Sequence, residues 1–455
     1  MNIKLELIAN NDAILFTSPS ADPYSNEDAL EMVDQNIITL NAIIGLENYD
    51  IGHVFGTGRT GGLAFLNSTC GSNKAGVVTG SNSPEGEAFN IDYVAHEIGH
   101  QLNASHTFNG YQQNCSTNNR IQNSAMEPGS GTSIMGYAGI CGGDDLQKNS
   151  DAFFHSHRIA QIRSFTQTAA GVRCCTLTAT LNNNPVVEAG KSYNVPAQTP
   201  FILTGVSSDM DGDPHLHSWE QIDTEKSSDL YSDLLNNPLF HVWNPESNPA
   251  RYFPRLSDTL SNQSTLGELL PSTTRELNFS LLVRDNKGGI DSDSVKLNVI
   301  ATGSEFSITG HNMPALLAPK QSFTISWNVA DTDKAPINCN AIDIGFIDDR
   351  AHYAPLLNTT PNDGAETLQI SHDIPKVLSS NIKVACSDNI FFAVSSSTHD
   401  VKGTKPVLKI NKPSIIKGIT SGKNLSYTLN LSAPATEEIF IHYQATAGEG
   451  VNTSR

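Results

Sequence analysis

No stretch of this 455-residue sequence reaches 18 consecutive apolar residues, so no segment reads as a membrane-spanning helix. Basic residues are scarce: 28 Lys and Arg stand against 47 Asp and Glu, for a net charge of −19. Nucleic acid is therefore not an expected partner, because phosphate binding needs clustered cationic side chains. Cysteine is sparse and never occurs as C-x-x-C. The seven residues are Cys70, Cys115, Cys141, Cys174, Cys175, Cys339 and Cys386, and none is spaced like a zinc ribbon. Scattered among Asn-, Ser- and Thr-rich sequence, they suggest disulfides and an oxidising compartment. Reduced, buried thiols in a cytosolic protein are the plain alternative. The odd count leaves one thiol over.

The first residues, Met1 to Ala9, lack the apolar core of a signal peptide and alternate like a strand. Secretion is thus an inference from composition. The last residues, Gly448 to Arg455, read as mid-domain, and the chain is expected to be a piece of a longer precursor. Hydrophobic content of 38% supports folded modules, and the length implies about two to four domains.

The most informative stretch is His96-Glu97-Ile98-Gly99-His100-Gln101-Leu102-Asn103-Ala104-Ser105-His106. Helical residues four apart share a face, with Cβ atoms about 5–6 Å apart. His96 and His100 can therefore present two imidazoles to one ion. Glu97, between them, can take a proton from a water at that ion. His106 can join them only if the chain turns back near Asn103. Three protein ligands and one open position describe a catalytic zinc site, as opposed to a closed structural one. A bare H-E-x-x-H also arises by chance on amphipathic helices; the third His is what separates this stretch from that reading.

With that third His, the stretch resembles the metzincin zinc peptidases, whose motif is H-E-x-x-H-x-x-G-x-x-H. Asn103 stands where the family has Gly, and Asn tolerates the left-handed conformation such a turn needs. Gly62-Leu63-Ala64-Phe65-Leu66, followed by Cys70 and Gly76-Val77-Val78, is similar to the cleft-edge strand of the adamalysin (reprolysin) branch. The resemblance implies that Gly62, Leu63 and Ala64 pair with an extended substrate by strand addition. It also implies a bridge from Cys70 to Cys174 or Cys175, and Cys115 is expected to pair with Cys141. Ser133-Ile134-Met135-Gly136-Tyr137 looks like the Met-turn, with Met135 as an apolar floor under the three His. Tyr137 matches a position that ligates zinc or stabilises an oxyanion in the astacin and serralysin branches; a wall of the cleft is the alternative. Glu127 to Gly131 is expected to shape the primed-side pocket.

Other signals are weaker. Residues 1–16 read as a buried strand. Leu30, Val33, Ile37, Leu40 and Ile44 mark a helix, with Ser25 as its cap and Gly45 as its stop. Gly56-Thr57-Gly58-Arg59-Thr60-Gly61 matches G-x-G-x-x-G, but it runs into a strand-like segment, so a loop before an edge strand is preferred to a dinucleotide site. Phe153 to Val172 reads as a last helix, with His155 and His157 as structural or surface groups.

Beyond Thr176 short alternating strands are separated by Gly, Pro, Asn and Asp, as in β-sandwiches. Residues 176–300 resemble polycystic-kidney-disease-like and cadherin-like immunoglobulin-type repeats. Their acidic turn, Asp209-Met210-Asp211-Gly212-Asp213, could hold Ca²⁺ or be an ion-free Asx turn. Residues 223–274 look like a long, irregular insertion. Residues 301–404 read as another sandwich, with Trp327 in its core and Cys339 and Cys386 able to bridge. Residues 405–455 look like the start of a Calx-beta-like module.

The expected architecture is multidomain: an α+β metzincin catalytic domain over residues 1–175, then all-β sandwich modules over 176–300, 301–404 and 405–455. The resemblance implies a secreted zinc endopeptidase acting on protein or peptide. His96, His100 and His106 would hold Zn²⁺, and Glu97 would be the general base. The β modules would act as spacers or bind extracellular matrix or a cell-surface ligand. The rival readings are a zinc peptidase whose third ligand is a downstream Glu, and a non-catalytic adhesin carrying a decayed peptidase domain.

Overall fold

The computed structural model describes residues 3–58, 61–168, 170–311, 315–371, 377–402, 408–410 and 428–431. Helix α1, Ala29–Ile43, begins where the Asp28 carboxylate accepts the N–H groups of Leu30 and Glu31. Asp28, not Ser25, is therefore the cap: its extended backbone aims the short carboxylate at the free first-turn donors. Gly45, at φ 89°, ends the helix as the sequence suggests. One face of α1 packs Met32 and Val33 against Val54 and Val78. Further along, Leu40 and Ile44 pack on Tyr49 and Ala75.

That face covers a three-stranded sheet of β1 (Val54–Gly56), β2 (Gly61–Ala64) and β3 (Val77–Gly80). The order is β1-β3-β2, with β1 parallel and β2 antiparallel to β3. Strand β2 is thus an edge, and Gly61, which closes the G-x-G-x-x-G match, opens a strand and not a helix. Arg59 and Thr60 lie outside the described residues. Residues 3–8 do not form the expected strand. Leu7 is 85% exposed, and Asn11–Ile14 is a 3-10 turn. Alternation alone does not make a strand without a ladder to join, and the sheet ends at β1.

A π-helical segment, Phe89–Ala95, leads directly into α2, His96–Gln101. Helix α3, Ser156–Thr168, closes the domain, followed by a 3-10 turn, Ala170–Arg173. His155 precedes α3 and is fully buried. Disulfides join Cys70 to Cys174 and Cys115 to Cys141, and Cys175 is the free, exposed thiol.

From Val186 on, the described elements are strands apart from one short helix, Leu256–Leu260. Strands β4 (Val186–Glu188) and β7 (Val206–Ser208) pair, as do β6 (Phe201–Thr204) and β9 (Ala250–Phe253). Strands β5 (Tyr193–Pro196), β8 (Leu216–Gln221), β10 (Arg275–Arg284) and β11 (Ile290–Ile300) form a sheet in the order β5-β11-β10-β8. Residues 223–274 are irregular, as expected, but they are not a detached loop. Leu239, Phe240 and Phe253 are buried in the core, because their apolar side chains fill the space beside Phe201 and Phe279.

The next strands are β12 (Ser307–His311), β13 (Leu316–Leu317), β14 (Ser322–Asn328), β15 (Ala341–Ile347), β16 (Tyr353–Pro361), β17 (Ala365–Gln369), β18 (Val377–Cys386) and β19 (Phe392–Val401), and they form two sheets in the orders β12-β14-β17 and β13-β19-β18-β15-β16. Trp327 is buried between them and donates to Asn362 Oδ1 at 2.8 Å. Cys339 and Cys386 are bridged. One buried cluster runs without a break from Val187 to Val401 and joins both sets of sheets. Of the last module, only a two-stranded pairing of Leu408–Ile410 with Leu429–Leu431 is described; the rest of that expectation lies outside the described residues. No described helix is long and apolar enough to cross a membrane.

Candidate metal centre

Helix α2 ends in a Schellman motif. Ala104 N–H donates to the Gly99 carbonyl at 2.8 Å, and Asn103 N–H to the His100 carbonyl at 2.9 Å. Asn103 occupies the reversal position at φ 74°. The chain turns back there, and His106 comes to face the helix.

The three imidazoles then converge. His100 Nε2 lies 3.1 Å from His106 Nε2, which lies 3.2 Å from His96 Nε2. Behind each ring stands a backbone carbonyl at 2.7 Å from Nδ1: Ile134 for His96, Ala104 for His100 and Asn119 for His106. A carbonyl can only accept, so each Nδ1 carries the proton and each Nε2 offers a lone pair inward. Burial, together with repulsion from its two neighbours, holds His96 well below the ordinary imidazole range. Burial lowers His100 to about 4, and burial with the neighbouring His100 lowers His106 to about 3.

Three neutral nitrogens with facing lone pairs have no donor among them, and a cation is what such a set fits. Two nitrogens bound tetrahedrally at about 2.0–2.1 Å lie about 3.3 Å apart, close to the spacings here. Carbonyl-backed imidazoles are also the usual outer support of a metal site.

Glu97 is buried, and burial pushes its carboxyl up to about 8. Its carboxylate lies against the backbone of edge strand β2. A Cβ on Gly62 would fall 1.9 Å from Glu97 Oε1, so only glycine admits the acid there. Gly62 therefore borders Glu97, and Leu63 and Ala64 continue the same edge strand.

Met135 is fully buried among Leu102, Ala104, Ile134 and Ile162. A Cβ on Gly99 would meet its Sδ at 2.6 Å, so the thioether sits directly beneath the helix. Tyr137 is half-buried, its ring edge-on to His106 at 4.5 Å and stacked on Phe108 at 4.5 Å. Burial, then the charge of Glu97, raises its hydroxyl above the ordinary phenol value, so it stays a donor.

The segment Glu127 to Gly131 is buried throughout. Glu127 accepts from Thr107 Oγ1 at 2.6 Å and Ser133 Oγ at 2.8 Å. Its carboxylate is used inside the loop, and the segment braces the Met135 turn from within.

Sequence reasoning missed Gly99 as the seat of Met135, Gly62 as the seat of Glu97, and Arg158. Fully buried Arg158 donates to the Ser105 carbonyl at 2.9 Å, one residue before His106. The sequence signal for Arg158 is faint: a cation on an otherwise mixed helix. The two glycines lie inside motifs already singled out.

Two further groups of potential ligands occur among the described residues. Cys339, Cys386 and Asp388 include the disulfide and are not available as thiolates. In the Asp209-Asp211-Asp213 turn, Asp209 Oδ1 accepts the Asp211 N–H at 2.7 Å, the geometry of an Asx turn.

Residues 1–164 match the family model for reprolysin-like metallo-peptidases of family M12B. No curated protein matches the chain. Solved structures with some likeness are SGBP-B of the Bacteroides ovatus mixed-linkage glucan utilisation locus, the Ig1-2 module of the Drosophila receptor protein tyrosine phosphatase DLAR, and the FN1-FN3 domains of chicken CNTN1. The first is 9% identical, covering 49% of this chain and 48% of that one, with TM-score 0.15. The second is 11% identical, covering 48% and 98%, with TM-score 0.25. The third is 8% identical, covering 48% and 67%, with TM-score 0.18. The chain spans about half the length of the first of these. With the family match falling on the domain that carries the histidine cluster, the N-terminal part of this chain is a reprolysin-like metallopeptidase domain of family M12B, and it is followed by all-β domains.

Proposed function

We propose that this chain is a secreted zinc endopeptidase. The observation that carries the reading is the convergence of three Nε2 lone pairs, each fixed from behind by a carbonyl, beside a buried carboxylate. His96, His100 and His106 are the residues that hold the ion. Zinc at such a site supplies Lewis-acid polarisation of a peptide carbonyl and lowers the pKa of a water molecule. Glu97 accepts the proton of the attacking water and delivers it to the leaving amine. Strand β2 binds the substrate backbone, with Gly62, Leu63 and Ala64 offering edge N–H and C=O groups to an extended peptide. Tyr137 donates its hydroxyl hydrogen to the carbonyl oxygen as charge develops there.

The three disulfides support a secreted protein, since such bonds persist in oxidising surroundings. We place domain boundaries after residues 175, 300 and 404. The β region serves as a spacer or binds matrix or cell-surface ligands, and calcium at the Asp209 turn belongs to the same reading. Cleavage-site profiling of the purified chain, with and without a zinc chelator, tests the whole. Specific cleavage that chelation abolishes and zinc restores supports it. Absence of cleavage from zinc-loaded chain across a diverse peptide library would leave the non-catalytic adhesin.

Expressed alongside it, Glu97→Ala should keep zinc near one per chain and lose turnover by about 10²–10⁴-fold, the usual worth of a general base.

A further inference from the structure

The three ligands are not supported alike. The carbonyls behind His96 and His100 belong to Ile134 and Ala104, inside the peptidase domain. The carbonyl behind His106 belongs to Asn119, and the supports around it lead out of the domain. Arg120, the next residue, donates to Asn109 Oδ1 at 3.2 and 2.7 Å and to the Glu225 carbonyl. Asn109, three residues past His106, donates to Ser228 Oγ at 2.9 Å. Ser228 is buried and is held in turn by Asn237 Nδ2 at 3.0 Å. Two residues of the irregular 223–274 segment thus hold the chain three residues after His106 and one residue after the carbonyl that backs it.

A second connection reaches the same residue from the other side. Glu220, in β8, is fully buried and accepts the Ser156 N–H at the start of α3. It also accepts from Ser218 Oγ at 2.8 Å, and His155 Nδ1 stands 3.4 Å away. A carboxylate at a helix N-terminus is favourable because the first-turn N–H groups are otherwise unpaired. Two residues on, Arg158 holds the Ser105 carbonyl, and Gln161 Oε1 accepts the Ser105 N–H at 3.1 Å. Both backbone polar groups of the residue that leads into His106 are therefore set by α3, which β8 caps.

We infer that the β region is a working part of the metal centre: through Glu225, Ser228 and Glu220 it sets the position of the third ligand, His106. Arg120 and Glu220 are positioning residues that act through the backbone around His106. The inference rests on the zinc-site reading above.

The test uses the full chain, with zinc affinity measured by chelator competition, the visible spectrum of the cobalt-loaded protein, and the urea midpoint as a control on folding. Arg120→Ala and Glu220→Gln should each weaken zinc by about 10–100-fold, the range for groups that orient a ligand. The cobalt bands should shift and lose intensity as one nitrogen moves off the metal, a change that a general loss of stability does not produce. Arg120→Lys, which keeps one donor, should recover part of the affinity. Ser228→Ala, which removes a single hydroxyl, carries the same test if Arg120→Ala fails to fold. His106→Ala separates the two ideas. Should it lose affinity while Arg120→Ala, Glu220→Gln and Ser228→Ala keep both wild-type affinity and spectrum, the β-region inference is overturned and the zinc site stands. If His106→Ala binds zinc as tightly as wild type, the zinc-site reading fails and the inference falls with it.

Discussion

Gly62→Ala is the sharpest single perturbation of the peptidase site. The backbone of Gly62 is not left-handed, so alanine meets no conformational penalty there. The cost is confined to one neighbour: the new Cβ would lie 1.9 Å from Glu97 Oε1, 2.6 Å from Cδ and 3.0 Å from Cγ. Ordinary contact begins at about 3.4 Å, so the carboxylate must retreat by roughly 1.5 Å or the edge strand must shift by as much. A displacement of about 1 Å in a reacting group can cost roughly 10²-fold in rate. We therefore expect kcat to fall about 10²-fold, with zinc content unchanged because Glu97 is not among the converging nitrogens. Steady-state hydrolysis of a fluorogenic peptide, with metal analysis on the same sample, measures both. The double variant sharpens the reasoning. In a Glu97→Ala background there is no carboxylate to displace, so Gly62→Ala should add little, a strong departure from additivity. A Gly62→Ala enzyme within about threefold of wild type, or strict additivity in the double variant, refutes the account of how Glu97 is seated.

Three further outcomes follow from the same geometry. Asn103→Gly should preserve zinc affinity and activity, whereas Asn103→Val, strained at φ 74°, should weaken both; equal zinc binding and cleavage by the two would show that the turn does not depend on this residue. Replacing Cys70 with Ser opens a loop whose ends are 104 residues apart and should lower stability by about 2–4 kcal/mol in urea denaturation; an unchanged midpoint counts against that contribution. In metal-free protein Glu97, raised from 4.5 to about 8, keeps its proton only when folded, so its contribution to stability is full below about 4.5 and is lost as pH rises through about 8; Glu97→Gln should remove that slope, and identical pH profiles would sink the assignment.

Much of the site was legible because its signals are local. His96, Glu97 and His100 owe their placement to one helix face, and Asn103 to a helix-end motif contained in six residues. A bridge from Cys70 to the Cys174-Cys175 pair was legible for another reason, as an implication of the family likeness; that Cys174 is the partner was left open and appears only in the structure. What was not legible is contact between distant segments. The alternation of residues 3–8 is real, but no sequence rule states that the sheet stops at β1. Ser25 and Asp28 are both good caps, and only the backbone decides that Asp28 faces the free N–H groups. Gly62 and Gly99 read as an edge-strand residue and a helix residue; their need for no side chain appears only when Glu97 and Met135 arrive from elsewhere. Residues 223–274 look like an irregular insertion because periodicity is absent, yet their apolar side chains complete a core whose other members reach Val401, about 160 residues on from Leu239.

The unbroken apolar cluster from Val187 to Val401 changes how the β region should respond to stress. Separate modules on a string would melt one at a time, each with its own midpoint, and a protease would cut the links between them first. A shared interior ties their fates together, because opening one set of sheets uncovers apolar surface on the other. Hydrogen exchange across residues 187–401 should then report one slow cooperative opening, and pulling the ends apart should show a single large rupture where independent beads would give a sawtooth. The peptidase domain would be carried on a stiff arm whose reach is fixed by the fold.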